Sequence, residues 1–185
     1  EGGLVTVSLI DYDEIKCVQT MKRSKIQNSN LQPDFIGAWS AVPISICDEL
    51  IGFFDKRIGK QAQGVTGVGL NKQAKSRTDI SIRPRDIPLE EGYRVFQSYF
   101  KILHHCYKEY VDQWPILQEV AYTLDIGTFN IGKYSHGQHF NKLHCERSPL
   151  SQERVLAFMT YLNDVENGGS TYFSHYDIEI KPQKG

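Results

Sequence analysis

Apolar residues along this chain follow a helical rhythm in the first two thirds and an extended rhythm in the last third. Ile46, Leu50, Phe53, Phe54 and Ile58 recur every three or four positions, which predicts a helix with one buried face. Ser45, with Asp48 three residues on, supplies a variant capping box for its start, and Gly59 can close it. A longer helix is predicted further on, with Pro88 near its start and Glu90 and Glu91 in the first turn, where carboxylates suit the helix dipole. Its apolar stripe is Tyr93, Phe96, Phe100, Leu103, Tyr107 and Val111, and Pro115 breaks the pattern.

Upstream of these helices, residues 4–10 alternate weakly and read as an edge strand. Residues 19–33 are polar and read as a loop or arm, and Phe35 to Trp39 reads as a short strand. The glycine-rich stretch 64–71 lacks both the Rossmann spacing and a Walker lysine, so a turn with short strands is expected there. From Ala121 the period becomes two. Strands are expected at Thr128–Tyr134, His139–His144, Arg154–Leu162, Ser170–Phe173 and Asp177–Lys181. Helices first and strands after imply an α+β domain whose helices pack on a curved antiparallel sheet.

A chain of 185 residues, 40% apolar and 23% charged, is expected to form one soluble domain. Its net charge of −1 provides no broad basic field, so no nucleic-acid partner is expected. No apolar run approaches the ~20 residues that span a bilayer, so no membrane partner is expected either. The first residues carry neither an initiator Met nor a basic leader, which suggests an internal or processed start. Cys17, Cys47, Cys106 and Cys145 are scattered without a C-x-x-C pair. They read as reduced thiols, and the expected compartment is cytoplasmic.

The candidate chemistry lies in Y-S-H-G-Q-H-F-N-K-L-H-C-E, residues 134–146. His144 and Glu146 stand two apart in a segment read as extended, so both side chains share a face and can ligate one ion. Two histidines and one carboxylate with open positions mark non-haem Fe(II) oxygenases, and this pair supplies two of the three donors. Cys145 between them should point away and pack in the sheet. His139, odd against His144, should face the other way and be exposed, as should His136. His104 and His105 lie on the long helix with no partner four residues on.

Four blocks then follow in order: Y-x-x-G-Q-x-F-x-x-x-H-x-E, R-V-L-A-F-M-T-Y-L-N-D-V, G-G-S-T-Y-F and I-x-P-x-x-G. Together they resemble the prolyl 4-hydroxylase type of Fe(II)- and 2-oxoglutarate-dependent dioxygenase, most strongly over residues 121–185. The resemblance implies a double-stranded β-helix (jelly-roll) core flanked by N-terminal helices, with the iron at its open end. It divides a single oxygenase domain, 1–185, into an arm with strands (1–40), supporting helices (41–120) and the jelly-roll core (121–185). The implied reaction hydroxylates an unactivated C–H with release of succinate and CO₂. Its cofactor is Fe(II), its cosubstrates are 2-oxoglutarate and O₂, and ascorbate is a candidate reductant.

Carried over residue by residue, the resemblance makes His144 and Glu146 metal ligands, with Glu146 where the family usually has Asp. Tyr134 and Tyr161 match tyrosines of the cosubstrate pocket. Arg77 and Thr78, in S-R-T-D, match a loop near the peptide groove. The family's third ligand, a distal His, has no counterpart here. His175 comes too early for it, and the expectation is that the chain is a fragment of a longer protein. The implied substrate is a prolyl residue of a peptide or protein, with a free amino acid as the other option. A non-catalytic jelly-roll binding module with a remnant metal site is the alternative reading.

Overall fold

The computed structural model describes residues 21–26, 33–67, 69–121, 123–147, 149 and 152–185. The strand expected at 4–10, Cys17 and most of the polar arm lie outside them. Two long α-helices, a short third one, three 3₁₀ turns and four small antiparallel sheets make up the described part. β1 (Lys22–Arg23) pairs with β2 (Trp39–Ser40). A three-stranded sheet in the order β3-β5-β6 holds β3 (Ala62–Gln63), β5 (Thr78–Ile82) and β6 (Phe129–Lys133). β4 (Lys75–Ser76) pairs with β7 (His139–Phe140), and β8 (Thr171–Phe173) with β9 (Ile178–Ile180).

The two helices, α1 (Ile44–Asp55) and α2 (Arg94–Gln113), pack on the three-stranded sheet. Leu50, Phe53 and Phe54 from α1 meet Tyr93, Phe96 and Tyr99 at the start of α2 and Ile80, Ile82 and Ile131 from β5 and β6. Aromatic rings meet edge to face at the centre: Phe53 and Phe96 are 4.8 Å apart and nearly perpendicular, an arrangement the ring quadrupoles favour. A satellite cluster of Val111, Trp114 and Leu117 lies where α2 ends and the short α3 (Ile116–Val120) begins.

The helix boundaries differ from those expected, for local reasons. Pro43, not Ser45, caps α1: its carbonyl takes the Cys47 N–H at 3.1 Å, and no side chain caps the helix. The helix closes at Lys56 rather than Gly59, so Ile58 falls outside it and stands 76% exposed instead of on the buried face. α2 begins at Arg94 after a single 3₁₀ turn at 91–93, leaving Pro88 well upstream. Its expected stripe holds, with Phe96 and Val111 buried and Phe100, Leu103 and Tyr107 partly buried.

The largest departure is at Arg154–Leu162, where a strand is expected and none is assigned. Leu156 packs on the satellite cluster, Leu162 on the main core, and Thr160 shares a 2.8 Å hydrogen bond with Tyr99 Oη. The alternation is therefore used, but the backbone finds no ladder partner among the described residues. Phe35 is likewise not in a strand: it sits in a turn with φ 59°.

Candidate functional site

Three adjacent charged residues, Lys75, Arg77 and Asp79, recur every second position and so share one face as the chain passes from β4 into β5. Arg77 Nε lies 2.6 Å from Asp79 Oδ1, and Lys75 Nζ lies 3.4 Å from Asp79 Oδ2. Lys75 and Asp79 are each only 7% exposed, so both charges are withdrawn from solvent. Burial, and after it the like charge of Arg77, pull the Lys75 ammonium below the ordinary lysine range, while Asp79 opposes them. Two glycines on the flanking chain make room: a Cβ on Gly64 would stand 2.9 Å from Asp79 Oδ2, and one on Gly132 2.8 Å from Asp79 Oδ1. Gly132 is the direct cross-strand partner of Asp79.

This triad aims Arg77 at Tyr134, just past the end of β6. Arg77 Nη1 donates to Tyr134 Oη at 3.1 Å, and the guanidinium lies 5.5 Å from the ring centroid. Thr78 opposes Lys133 in the same ladder. Tyr134 acts electrostatically on Tyr161, whose phenol burial pushes up. Tyr161 Oη sits 2.7 Å from Thr171 Oγ1 and donates to the Ile180 carbonyl at 3.2 Å, tying it to the β8–β9 hairpin. Arg77 and Tyr134, read separately along the sequence, are thus brought into contact, whereas the hydrogen-bond partners of Tyr161 lie in the β8–β9 hairpin.

His144 and Glu146 come together just beyond β7. The strand stops at Phe140, so they do not ride on regular β structure, yet His144 Nε2 lies 3.5 Å from Glu146 Oε1. The imidazole is stacked on Phe140, centroids 4.3 Å apart, and its Nδ1 lies 2.8 Å from the Lys142 carbonyl. A carbonyl can only accept, so in that contact Nδ1 is the donor, and Nε2 is the ring nitrogen that faces Glu146. Glu146 Oε2 accepts from Arg154 Nη1 at 3.0 Å. Glu146 also acts electrostatically on Lys75, which links this pair to the triad.

Cis donors on one divalent cation, each at about 2.1 Å, stand about 3 Å apart. The observed 3.5 Å is close to that, so His144 and Glu146 fit as two donors of such a centre. Among the described residues no group of three His, Cys, Asp or Glu side chains could hold a metal ion. Cys145 is exposed, with its Sγ toward the Arg147 carbonyl, rather than packed in a sheet. His139 is half-buried, not exposed, because β7 pairs it with Ser76, and its buried Nδ1 has no partner.

Lys75, Asp79, Phe140 and Arg154 were not singled out by sequence reasoning. The period-two K-x-R-x-D was legible as one strand face, whereas nothing local links Arg154 to Glu146.

Part of this chain is similar to plant prolyl 4-hydroxylases. The probable prolyl 4-hydroxylase 9 of Arabidopsis thaliana is 33% identical over 78 residues, covering 31% of this chain and 27% of that protein. Prolyl 4-hydroxylase 13 of the same plant is 35% identical over 78 residues, covering 31% and 28%. The match thus spans little more than a quarter of the length of these relatives. No family model matches the chain, and no solved structure does. No described helix is long and apolar enough to cross a membrane.

Proposed function

We propose that this chain is part of an Fe(II)- and 2-oxoglutarate-dependent dioxygenase that hydroxylates a prolyl residue of a peptide or protein. In this reading His144 Nε2 and Glu146 Oε1 hold the metal, and a third ligand comes from outside the described residues. The observation that carries it is the approach of these two atoms to 3.5 Å, with Nδ1 already occupied by the Lys142 carbonyl. A protein acceptor on the distal ring nitrogen is the usual way in which a metal-bound imidazole is oriented. Arg154 Nη1 donates to the second oxygen of Glu146, and the first, which faces His144, is the one assigned here to the metal.

The bound metal would supply O₂ activation next to a chelated 2-oxoacid. The chain's own residues supply orientation and charge. Tyr134 Oη accepts from Arg77 and keeps its own O–H to donate to a 2-oxoglutarate carboxylate, and Tyr161 would do so by turning its O–H from the Ile180 carbonyl. Arg77, held by Asp79, presents its guanidinium beside Tyr134, with Thr78 adjacent, to substrate. The strand alternation of residues 121–185 supports a core that closes as a double-stranded β-helix. Free thiols at Cys47, Cys106 and Cys145 support a cytoplasmic setting.

The test is anaerobic titration of Fe(II), then 2-oxoglutarate, into the whole natural protein, watching for a weak visible metal-to-ligand charge-transfer band. The band is expected, and it should vanish in His144→Ala with unchanged circular dichroism. Absence of the band in the folded wild-type protein refutes the reading. The second reading, a non-catalytic binding module, draws support from the ion pair that already engages Glu146, and the absence of a band would favour it.

A further inference from the structure

Away from this site, both tryptophans of the chain flank a single cation. Arg23 lies 5.2 Å from the ring centroid of Trp39 and 5.5 Å from that of Trp114. Tyr110 closes one side, 4.4 Å from Trp114, and Phe35 the other, 5.6 Å from Trp114. Two hydrogen bonds fix the slot's walls. Trp39 Nε1 donates to Glu109 Oε2 at 2.7 Å, and Tyr110 Oη donates to the Phe35 carbonyl at 2.7 Å. A Cβ on Gly37 would run into the Trp39 ring, so only glycine there lets the indole lie against the backbone. Flat aromatic faces with a fixed carboxylate at one edge suit a planar, weakly hydrated guanidinium better than a compact ammonium.

The residues that fill the slot are weakly attached. Met21–Ile26 adds to the edge of β2 through Lys22↔Ser40 and Arg23↔Trp39, with one more bond from Ser24 N–H to the Ala38 carbonyl at 2.8 Å. No side-chain ion pair fixes the segment among the described residues. Its hold is a two-residue ladder and one cation between two indoles, and a ladder that short is only marginally stable on its own.

We propose that the β2 edge and the Trp39–Trp114 slot form a recognition surface for an extended, arginine-bearing peptide segment, with Met21–Ile26 as its exchangeable occupant in cis. The backbone edge supplies strand-addition hydrogen bonds, and the slot selects arginine at one position, the usual division of labour in this mode of recognition. The tethered segment competes at a high effective concentration, so it keeps the surface closed until a tighter segment displaces it. This is independent of the oxygenase reading and survives its failure.

The two tryptophans are the only ones in the chain, so tryptophan emission, excited where its ten tyrosines do not absorb, reports on the slot. In the full chain, Arg23→Gly with Ser24→Pro removes the cation and the Ser24 N–H donor and releases the segment. The probe is the hexapeptide M-K-R-S-K-I. The variant should bind it with a saturable change in emission, at least about tenfold more tightly than the wild type, whose own segment competes. The same peptide with Ala for Arg should not bind. A second measurement covers a variant that fails to fold: methylguanidinium at millimolar concentration should restore the wild-type emission of Arg23→Ala, and methylammonium should not. Equal binding of the Arg and Ala peptides, or no response of Arg23→Ala to methylguanidinium, overturns the proposal.

Discussion

Replacing Asp79 by Asn should be among the most damaging isosteric changes in this protein. The carboxylate is the shared anion of a buried and a half-buried cation, 3.4 Å from Lys75 Nζ and 2.6 Å from Arg77 Nε. The Lys75 and Asp79 side chains are 9% exposed and that of Arg77 19%, so water can replace little of what the amide withdraws. Removing one partner of a buried ion pair costs about 3–5 kcal/mol, because the remaining charge stays desolvated. Lys75 keeps the Val65 carbonyl at 2.9 Å and Arg77 keeps Tyr134 Oη at 3.1 Å, which places the expected loss near the lower end, about 3 kcal/mol. Urea denaturation followed by circular dichroism measures it. Lys75→Met in the Asp79→Asn background should cost less than it does alone, with a coupling of about 1 kcal/mol or more, because it removes one orphaned cation. A loss below about 1 kcal/mol for Asp79→Asn would show that the three charges are not buried as a unit and refute the reasoning.

Burial pushes the Tyr99 phenol up to about 12, and its hydrogen bond with Thr160 only partly offsets this. The folded pKa lies above the unfolded value of 10.0, so this contribution is complete below pH 10 and is lost as pH rises toward 12, by about 3 kcal/mol in all. Tyr99→Phe should cost about 1 kcal/mol at neutral pH and flatten part of the alkaline fall; equal slopes in urea midpoints between about pH 10 and 12, the window of titration, would contradict it. Phe96 is 2% exposed and touches the rings of Phe53, Tyr93 and Phe129, so Phe96→Ala should destabilise by about 3–5 kcal/mol in thermal melts. A loss under about 1 kcal/mol would place Phe96 outside the core.

The apolar stripes were legible because a helix repeats every 3.6 residues wherever it packs. Phe96, Leu50 and Phe53 are buried as their spacing requires. Helix ends were less legible, since Pro43 caps α1 through its carbonyl, a role no side chain advertises. His144 and Glu146 approach each other although the strand expected to give them a common face ends at Phe140, so strand alternation is not what brings them together. Sequence alone determined which residues alternate and which carry charge at a common face: the two helical stripes and the K-x-R-x-D run. Tertiary structure decided what those faces meet. Burial of Lys75 and Asp79 depends on the absence of side chains at Gly64 and Gly132, and Glu146 meets Arg154 across a turn of the chain. Arg23 reaches Trp114 only because β1 pairs with β2 beside the end of α2. Local periodicity sets the direction of a side chain, whereas its electrostatic environment comes from residues distant in sequence, which only the packed chain brings within a few ångströms.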